Sequence, residues 1–384
     1  MTAFASRASA PGRNLDLQHL ADLLRERAAR ALDVIVGAGA IRAEDGRLVL
    51  AGTEPQLGPD GVTLTDGTYA INDVAMGGIA QKLGIPLAYL RRMHSDARDL
   101  FDVNVDGWLA RTDRRLLVRV LRDDTGSGVC RAVLSDRYAK IDDLDVLLAA
   151  LDGIRASGAP VRIEGADVSD TRMYLKVSAP SVRTLAPGLL AGYRSPFNGR
   201  SGADLPVVWA GFVITNSEVG CGAYEIRPRI VAEVCSNGMV VATHGMRRTH
   251  LGAKYDDADG QITWSRATTA KTLELITAKT ADAVAAYLDP DYLARMVREL
   301  ETAAGVPVTD PDTTIKTIST KLKYSDEQAG AILRHFIVGA DATSGGIMHA
   351  VTSVAQTLAD ADAAHDLETT AIQAMHLAAS LSRP

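Results

Sequence analysis

The run LPVVWAGFVITNSEVG, Leu205 to Gly220, constrains the fold more than any other part of this 384-residue chain. It is the most strand-like run present, dense in β-branched and aromatic residues, and a strand needs partners on either side. The segments RRLLVRVLRDD and GVCRAVLSDRYAKI read as antiparallel strands joined by DDTGSG. PVRIEGADVS and TRMYLKVSAP read as two more strands. AYEIRPRIVAEVCSNGMVV starts as a strand, with a helix expected from Pro228. Antiparallel strands grouped together, without strict βαβ alternation, argue for an α+β fold: a central antiparallel sheet with packed helices.

The flanks read differently. Residues 1–14 are small, polar and punctuated by Pro and Gly, as in a disordered tail. From Leu15 the residues Leu17, Leu20, Leu24, Ala28, Ala31 and Ile35 recur at helical spacing, and Gly37 and Gly39 are expected to end that helix. GRLVLAG is a short strand and GPDGVTL is turn material. Tyr69 to Ala110 reads as two or three short helices broken at Gly84-Ile85-Pro86. DDLDVLLAALDGIRASG is an amphipathic helix with acidic residues in its first turn and Gly158 past its end. Residues 183–204 are expected to form a long surface loop. After Tyr255 the chain is helical: across 264–288, from the Asp289 cap and Pro290, from the capping box Ser325-x-x-Gln328, and across 344–382. The expected organisation is therefore a tail over 1–14, a helical N-terminal region over 15–110, an α+β core over 111–255 and a helical C-terminal region over 256–384.

Composition narrows the setting. The chain has 41 Lys+Arg against 47 Asp+Glu, a net charge of −6, which argues against a non-specific nucleic-acid coat. Charges lining a cleft still set the local field there. Three cysteines without a CxxC pair exclude a disulfide scaffold and a thiolate zinc site, and point to a reduced cytoplasmic setting. Neither a signal-peptide core nor a run of about 18 apolar residues is present, so no membrane partner is expected.

Against that acidic mean, positive charge gathers between Gly222 and Lys254. Arg227, Arg229, Arg247, Arg248, His250 and Lys254, followed by Arg266 and Lys271 on the next helix, form the candidate nucleic-acid-binding set, with Arg137 and Tyr138 from an earlier strand end. Guanidinium forks, an imidazole whose pKa rises beside an anion, and glycines that let backbone amides approach suit a phosphate backbone. Tyr138 offers a ring for base stacking. The alternative is that Arg227 and Arg229 pair with neighbouring carboxylates and that Tyr138 closes the core. A second basic run, Arg111, Arg114, Arg115, Arg119 and Arg122, divides between two strand faces, with Arg115 and Arg119 together. No catalytic residue is assigned and no cofactor is expected. Magnesium held by Asp136, Asp142, Asp143 and Asp145 stays open as the enzymatic alternative. P-loop, HExxH and GxSxG patterns are absent.

Three segments, RAVLSDRYAKIDDLDVL, GFVITNSEVGCGAYEIRPRIVAEVCSNGMVV and TSGGIMHAVTSVAQTLADADAAH, together resemble the phage/plasmid-like protein family that carries a domain of unknown function. Thr215 to Gly220 is the most specific match. The last segment departs from the pattern, lacking Trp and Asn near Ile347 and His349. The order of elements is more distantly similar to single-strand annealing proteins. The resemblance implies a mobile-element protein working in a host cytoplasm. The function expected is single-stranded nucleic-acid binding, extending to ATP-independent annealing by a homo-oligomeric ring or filament. A metal-dependent nucleic-acid or nucleotide enzyme, and a protein-binding assembly or defence-interference factor, are the alternatives.

Overall fold

A computed structural model describes residues 12–58, 61–138, 140–235, 238–248 and 266–382. The elements begin with β1 (Gly12–Leu15), α1 (Leu17–Arg30), β2 (Ala31–Gly37), β3 (Ile41–Glu44), β4 (Arg47–Leu50), β5 (Gln56–Gly58), β6 (Gly61–Thr63) and β7 (Gly67–Ile71). Three helices follow, α2 (Asp73–Leu83), α3 (Leu87–Asp96) and α4 (Arg98–Leu109), then β8 (Arg115–Arg122), β9 (Gly128–Ser135) and α5 (Asp143–Ala156). Next come β10 (Arg162–Val168), β11 (Met173–Leu185), α6 (Pro187–Leu190), β12 (Val207–Asn216), β13 (Tyr224–Ala232), β14 (Gly238–Val240) and β15 (Met246–Arg248). The chain finishes in α7 (Arg266–Tyr287), α8 (Pro290–Ala304), α9 (Pro311–Leu322), α10 (Asp326–Gly339), α11 (Ser344–Thr357) and α12 (Ala361–Leu381).

The α+β class holds, with antiparallel sheets and packed helices toward both ends. The strands, however, make two large sheets where one was expected. The first has the order β2-β8-β9-β7-β4-β3; the second runs β1-β10-β11-β12-β13-β14, with β15 also on β13. All pairings in both are antiparallel except β7 with β9. The region 15–110 is thus not simply helical. It supplies four strands to the first sheet, and β8 and β9 join those strands instead of the later ones.

Five local expectations fail for identifiable reasons. Residues 12–14, expected in the tail, lie in β1, which pairs with β10 and is held where the Asn14 amide donates to the Asp167 carboxylate at 2.8 Å. The first helix stops at Arg30, and Leu32, Val34 and Val36 alternate inward along β2. Ala31 and Ile35 fit a helical stripe equally well, but the β-branched neighbours favour a strand. The stretch 58–64 includes β6, which pairs with β5 in a short hairpin. Residues 183–204 are no loose surface loop: β11 continues to Leu185, and Leu189, Leu190 and Tyr193 are buried. Finally, β13 runs through Pro228 without turning helical. The Pro228 carbonyl accepts from Val241 N. In a strand the N and O of one residue point the same way, so the missing proline donor also faces the edge side and spares the ladder to β12.

The second sheet is sandwiched. One face carries Leu175, Val177, Phe212, Ile214 and Ile226, in one apolar cluster with Leu20 and Leu24 of α1, Val146 and Leu147 of α5 and Ile276 of α7. Each fully buried aliphatic side chain contributes about 1.5–3 kcal/mol. The opposite face is polar. Lys176 pairs with Asp167 at 3.0 Å and with Glu368 of α12 at 3.3 Å. Arg229 pairs with Glu164 at 3.1 Å and Glu368 at 3.7 Å, and the Tyr174 hydroxyl donates to Asp362 at 2.6 Å. The C-terminal helix is therefore seated by these ion pairs and hydrogen bonds together with Leu367, Ala371, Ala374, Met375 and Ala378, which join the apolar cluster. On the first sheet, α2, α3 and α4 cover the face bearing Leu32, Val34, Val118 and Val120. Among the described residues no helix is long and apolar enough to cross a membrane.

The α2 seat can be tested with adjacent glycines. A Cβ at Gly78 would collide with the Val133 carbonyl oxygen of β9, whereas one at Gly77 meets open space. Gly78→Ala is expected to cost about 1–3 kcal/mol in urea unfolding. Gly77→Ala should gain about 0.5–1 kcal/mol from helix propensity. Equal effects of the two would show that α2 does not sit this close to β9.

A candidate cleft at the junction of the two sheets

Where the sheets meet, the end of β12 carries Asn216, Ser217 and Glu218, all buried. The Glu218 carboxylate is paired with Arg131 of β9 through one oxygen and accepts the Asp143 backbone N–H at 3.0 Å through the other. Asp143 opens α5, so Glu218 satisfies an orphan donor at that helix N-terminus and meets the positive end of its dipole. Asp142 occupies the N-cap position, yet its side chain makes no cap hydrogen bond. It is drawn off by Arg119 of β8, which also grips Asp33 of β2 at 2.7 Å and donates to the Glu218 carbonyl. One buried arginine therefore ties β2, β8, the α5 entrance and the β12 exit together.

The charges follow from this packing. Burial opposes ionisation of Glu218 and Asp33. For Glu218 the Arg131 and Arg119 charges outweigh it, and for Asp33 the Arg119 and Lys140 charges do, so both carboxyls stay below their usual pKa values. Asp143 goes the other way. Complete burial, and then the Glu218 charge, push it up to about 8, against a hydrogen bond from Asn216 Nδ2 at 2.8 Å and the Arg27 and Arg131 charges.

Beside this junction lies an open cleft of about 1030 Å³. Its floor is the outward face of β2 and β8, where Asp33, Ile35 and Gly37 stand opposite Arg119, Leu117 and Arg115. That is the face on which the strand period puts Arg115 and Arg119 together. One wall is Gly52 to Gln56, held by three hydrogen bonds from Gly52 and Thr53 to Asp66. The other is formed by Asp136, Arg137, Tyr138, Lys140 and Ile141, with Thr268, Thr269 and Thr272 from the first turns of α7. Arg115 and Arg137 are exposed and make no ion pair among the described residues; Lys140 pairs with Asp33. The Tyr138 hydroxyl donates to the Ser217 carbonyl at 3.2 Å, so its ring is held as part of the wall.

The expected basic site divides accordingly. Arg137 and Tyr138 line the cleft, and Lys271 is exposed beside its α7 wall. Arg227 and Arg247 both pair with Glu225, at 2.6 and 3.0 Å, and Arg229 is buried between Glu164 and Glu368. These three arginines, on the polar face of the second sheet, therefore do not form an open channel: Arg227 and Arg229 meet carboxylates, the alternative the sequence left standing, and Arg247 is paired as well. The Arg248 backbone pairs with Tyr224, and Arg266 opens α7. His250 and Lys254 lie outside the described residues. The four aspartates do not converge either, because Asp142 serves Arg119 and Asp143 accepts from Asn216; no metal-holding group of His, Cys, Asp or Glu occurs among the described residues. Sequence reasoning missed Asp33, took Arg131 only as adding positive character beside Arg137 and Lys140, and gave Glu218 no role. A usable signal was the single aspartate inside the alternating run ALDVIVG.

Asp143 yields a pH test. It keeps its proton when folded over a range where the unfolded chain has lost it. Its contribution is complete below the ordinary carboxylate pKa and is lost as pH rises through about 8. Asp143→Asn mimics the protonated form, so its melting temperature minus that of the unmodified protein should grow between about pH 5 and pH 9. A difference independent of pH would refute a protonated Asp143. In comparisons with known proteins, no family model, no curated protein and no solved structure matches the chain.

Proposed function

We propose that the chain binds single-stranded nucleic acid and that the strand runs through the cleft on the outward face of the first sheet. The observation that carries this reading is the pairing of an open cavity of about 1030 Å³ with two cations on its lining, Arg115 and Arg137, that have no carboxylate partner among the described residues. Such guanidinium groups are available for phosphate oxygens, and the Tyr138 ring and threonine hydroxyls add stacking and hydrogen-bonding surface. Arg227, Arg229 and Arg247 are secondary in this reading, because releasing them would strip Glu225, Glu164 and Glu368 of their partners. Strand annealing by an oligomer is the extension of the same proposal.

A second reading has its own support. The formal charges on the lining balance, with Asp33, Glu54 and Asp136 against Arg115, Arg137 and Lys140. A compact zwitterionic ligand such as a nucleotide or amino acid fits that balance better than a long polyanion.

Fluorescence anisotropy with a labelled oligonucleotide separates the two. Nucleic-acid binding should weaken steadily as salt rises. Arg115→Glu and Arg137→Glu should each cost about tenfold or more in affinity. Arg247→Glu should change it less than about twofold. Undetectable binding at low salt, or an Arg247→Glu effect as large as that of Arg137→Glu, would remove the reading. Saturable binding of a mononucleotide with little salt dependence would favour the second.

A further inference from the structure

The outward face of α4 is apolar where a surface helix is ordinarily polar. With 3.6 residues per turn, Asp99, Leu100, Val103 and Gly107 fall on one stripe, flanked by Trp108, and Arg111 follows just past the C-cap Ala110. The inward side is accounted for by Phe101, Val105 and Leu109, all buried. On the outside Val103 is 71% exposed, Trp108 50% and Leu100 43%. A Cβ at Gly107 would meet only the Arg111 guanidinium, so the middle of the stripe is a shallow notch.

The acidic residues of α4 divide sharply. Asp102 accepts the Asp45 and Gly46 amides, and Asp106 accepts the Ala43 amide, pinning the β3–β4 corner. Asp99 is exposed and has neither an amide nor an ion pair among the described residues. Beyond the other end of the stripe Arg111 donates to the Gly107 carbonyl of the last turn of α4 and makes no ion pair among the described residues.

We infer that this face is the contact between two copies of the chain, packed α4 against α4 in antiparallel fashion about a two-fold axis. The charge pattern is self-complementary in that arrangement alone. Antiparallel pairing centred near Val105 sets Asp99 of one copy against Arg111 of the other, twice by symmetry. It also places each Val103 over the Gly107 notch of the opposite helix. A parallel pairing would put Asp99 against Asp99 and Arg111 against Arg111. The contact is isologous and closes at two copies, unlike the head-to-tail contacts of a ring or filament. One helix pair buries about 1,000 Å² in total, the low end for a specific interface, so the dimer should be reversible and concentration-dependent. Since α4 covers one face of the first sheet and the cleft opens on the other, dimerisation leaves both clefts accessible.

Sedimentation equilibrium of the full chain over a wide concentration range provides the test. A monomer–dimer equilibrium is expected for the unmodified protein. Asp99→Lys and Arg111→Glu each set two like-charged pairs in the contact and should weaken it by about tenfold or more, whereas the double charge swap should restore it to within about threefold. Val103→Lys should abolish it, and these exposed substitutions should leave the circular dichroism unchanged. A protein that stays monomeric throughout, or a dimer indifferent to these changes or not rescued by the swap, overturns the proposal and leaves the stripe to a different occupant.

Discussion

The buried ion pair between Arg131 and Glu218 is the constraint on which the rest of the molecule depends. Arg131 comes from the first sheet, Glu218 from the exit of the central strand of the second, and the same carboxylate accepts the first amide of α5. A charged pair in such a place costs desolvation, and well-packed apolar residues could match its stability. Geometry is what it adds. A carboxylate that must meet a guanidinium on one side and a helix N-terminus on the other admits one arrangement of the two sheets. Arg119 repeats the device by joining Asp33, Asp142 and the Glu218 carbonyl, and the cleft takes its shape from that arrangement.

The same economy recurs at α12. Its inner surface meets the second sheet through Asp362 and Glu368, and Lys176 and Arg229 on that sheet have their countercharges there. The fold thus uses ion pairs to fix how its largest pieces are seated, while a shared apolar cluster packs the second sheet against its helices. This answers the puzzle of an acidic chain with a basic middle. Much of that positive charge is internal, matched to carboxylates brought from distant parts of the chain. Charge left unmatched among the described residues, as at Arg115 and Arg137, then carries more information about ligands than the charge count does.

Local signals in the sequence were largely sound. The β8–β9 hairpin, α5, β10 to β12 and the capping box at Ser325 are set by near-neighbour chemistry, and each could be read directly. Where two periods fit the same residues, reading failed: Leu32, Val34 and Val36 settle as a strand through β-branched character together with the pairing to β8. Pro228 looked like a helix start because the edge position that tolerates it is a property of the whole sheet. The site was half legible. Arg137 and Tyr138 lie on the cleft, but Glu218 is bonded across 75 residues to Asp143 and across 87 to Arg131, separations that no local pattern encodes. The segment from Thr215 to Gly220, at the end of the most strand-like run in the sequence, forms the joint between the sheets.

A double-mutant cycle on this joint is the most direct measurement, using Arg131→Met, Glu218→Gln and the pair in urea unfolding. Glu218→Gln alone should cost about 3–5 kcal/mol by leaving Arg131 buried without its countercharge. The pair should cost less than the sum of the single changes by about 1–3 kcal/mol. Additivity within about 0.5 kcal/mol would mean that the two side chains do not act on each other, and that something else holds the sheets in place.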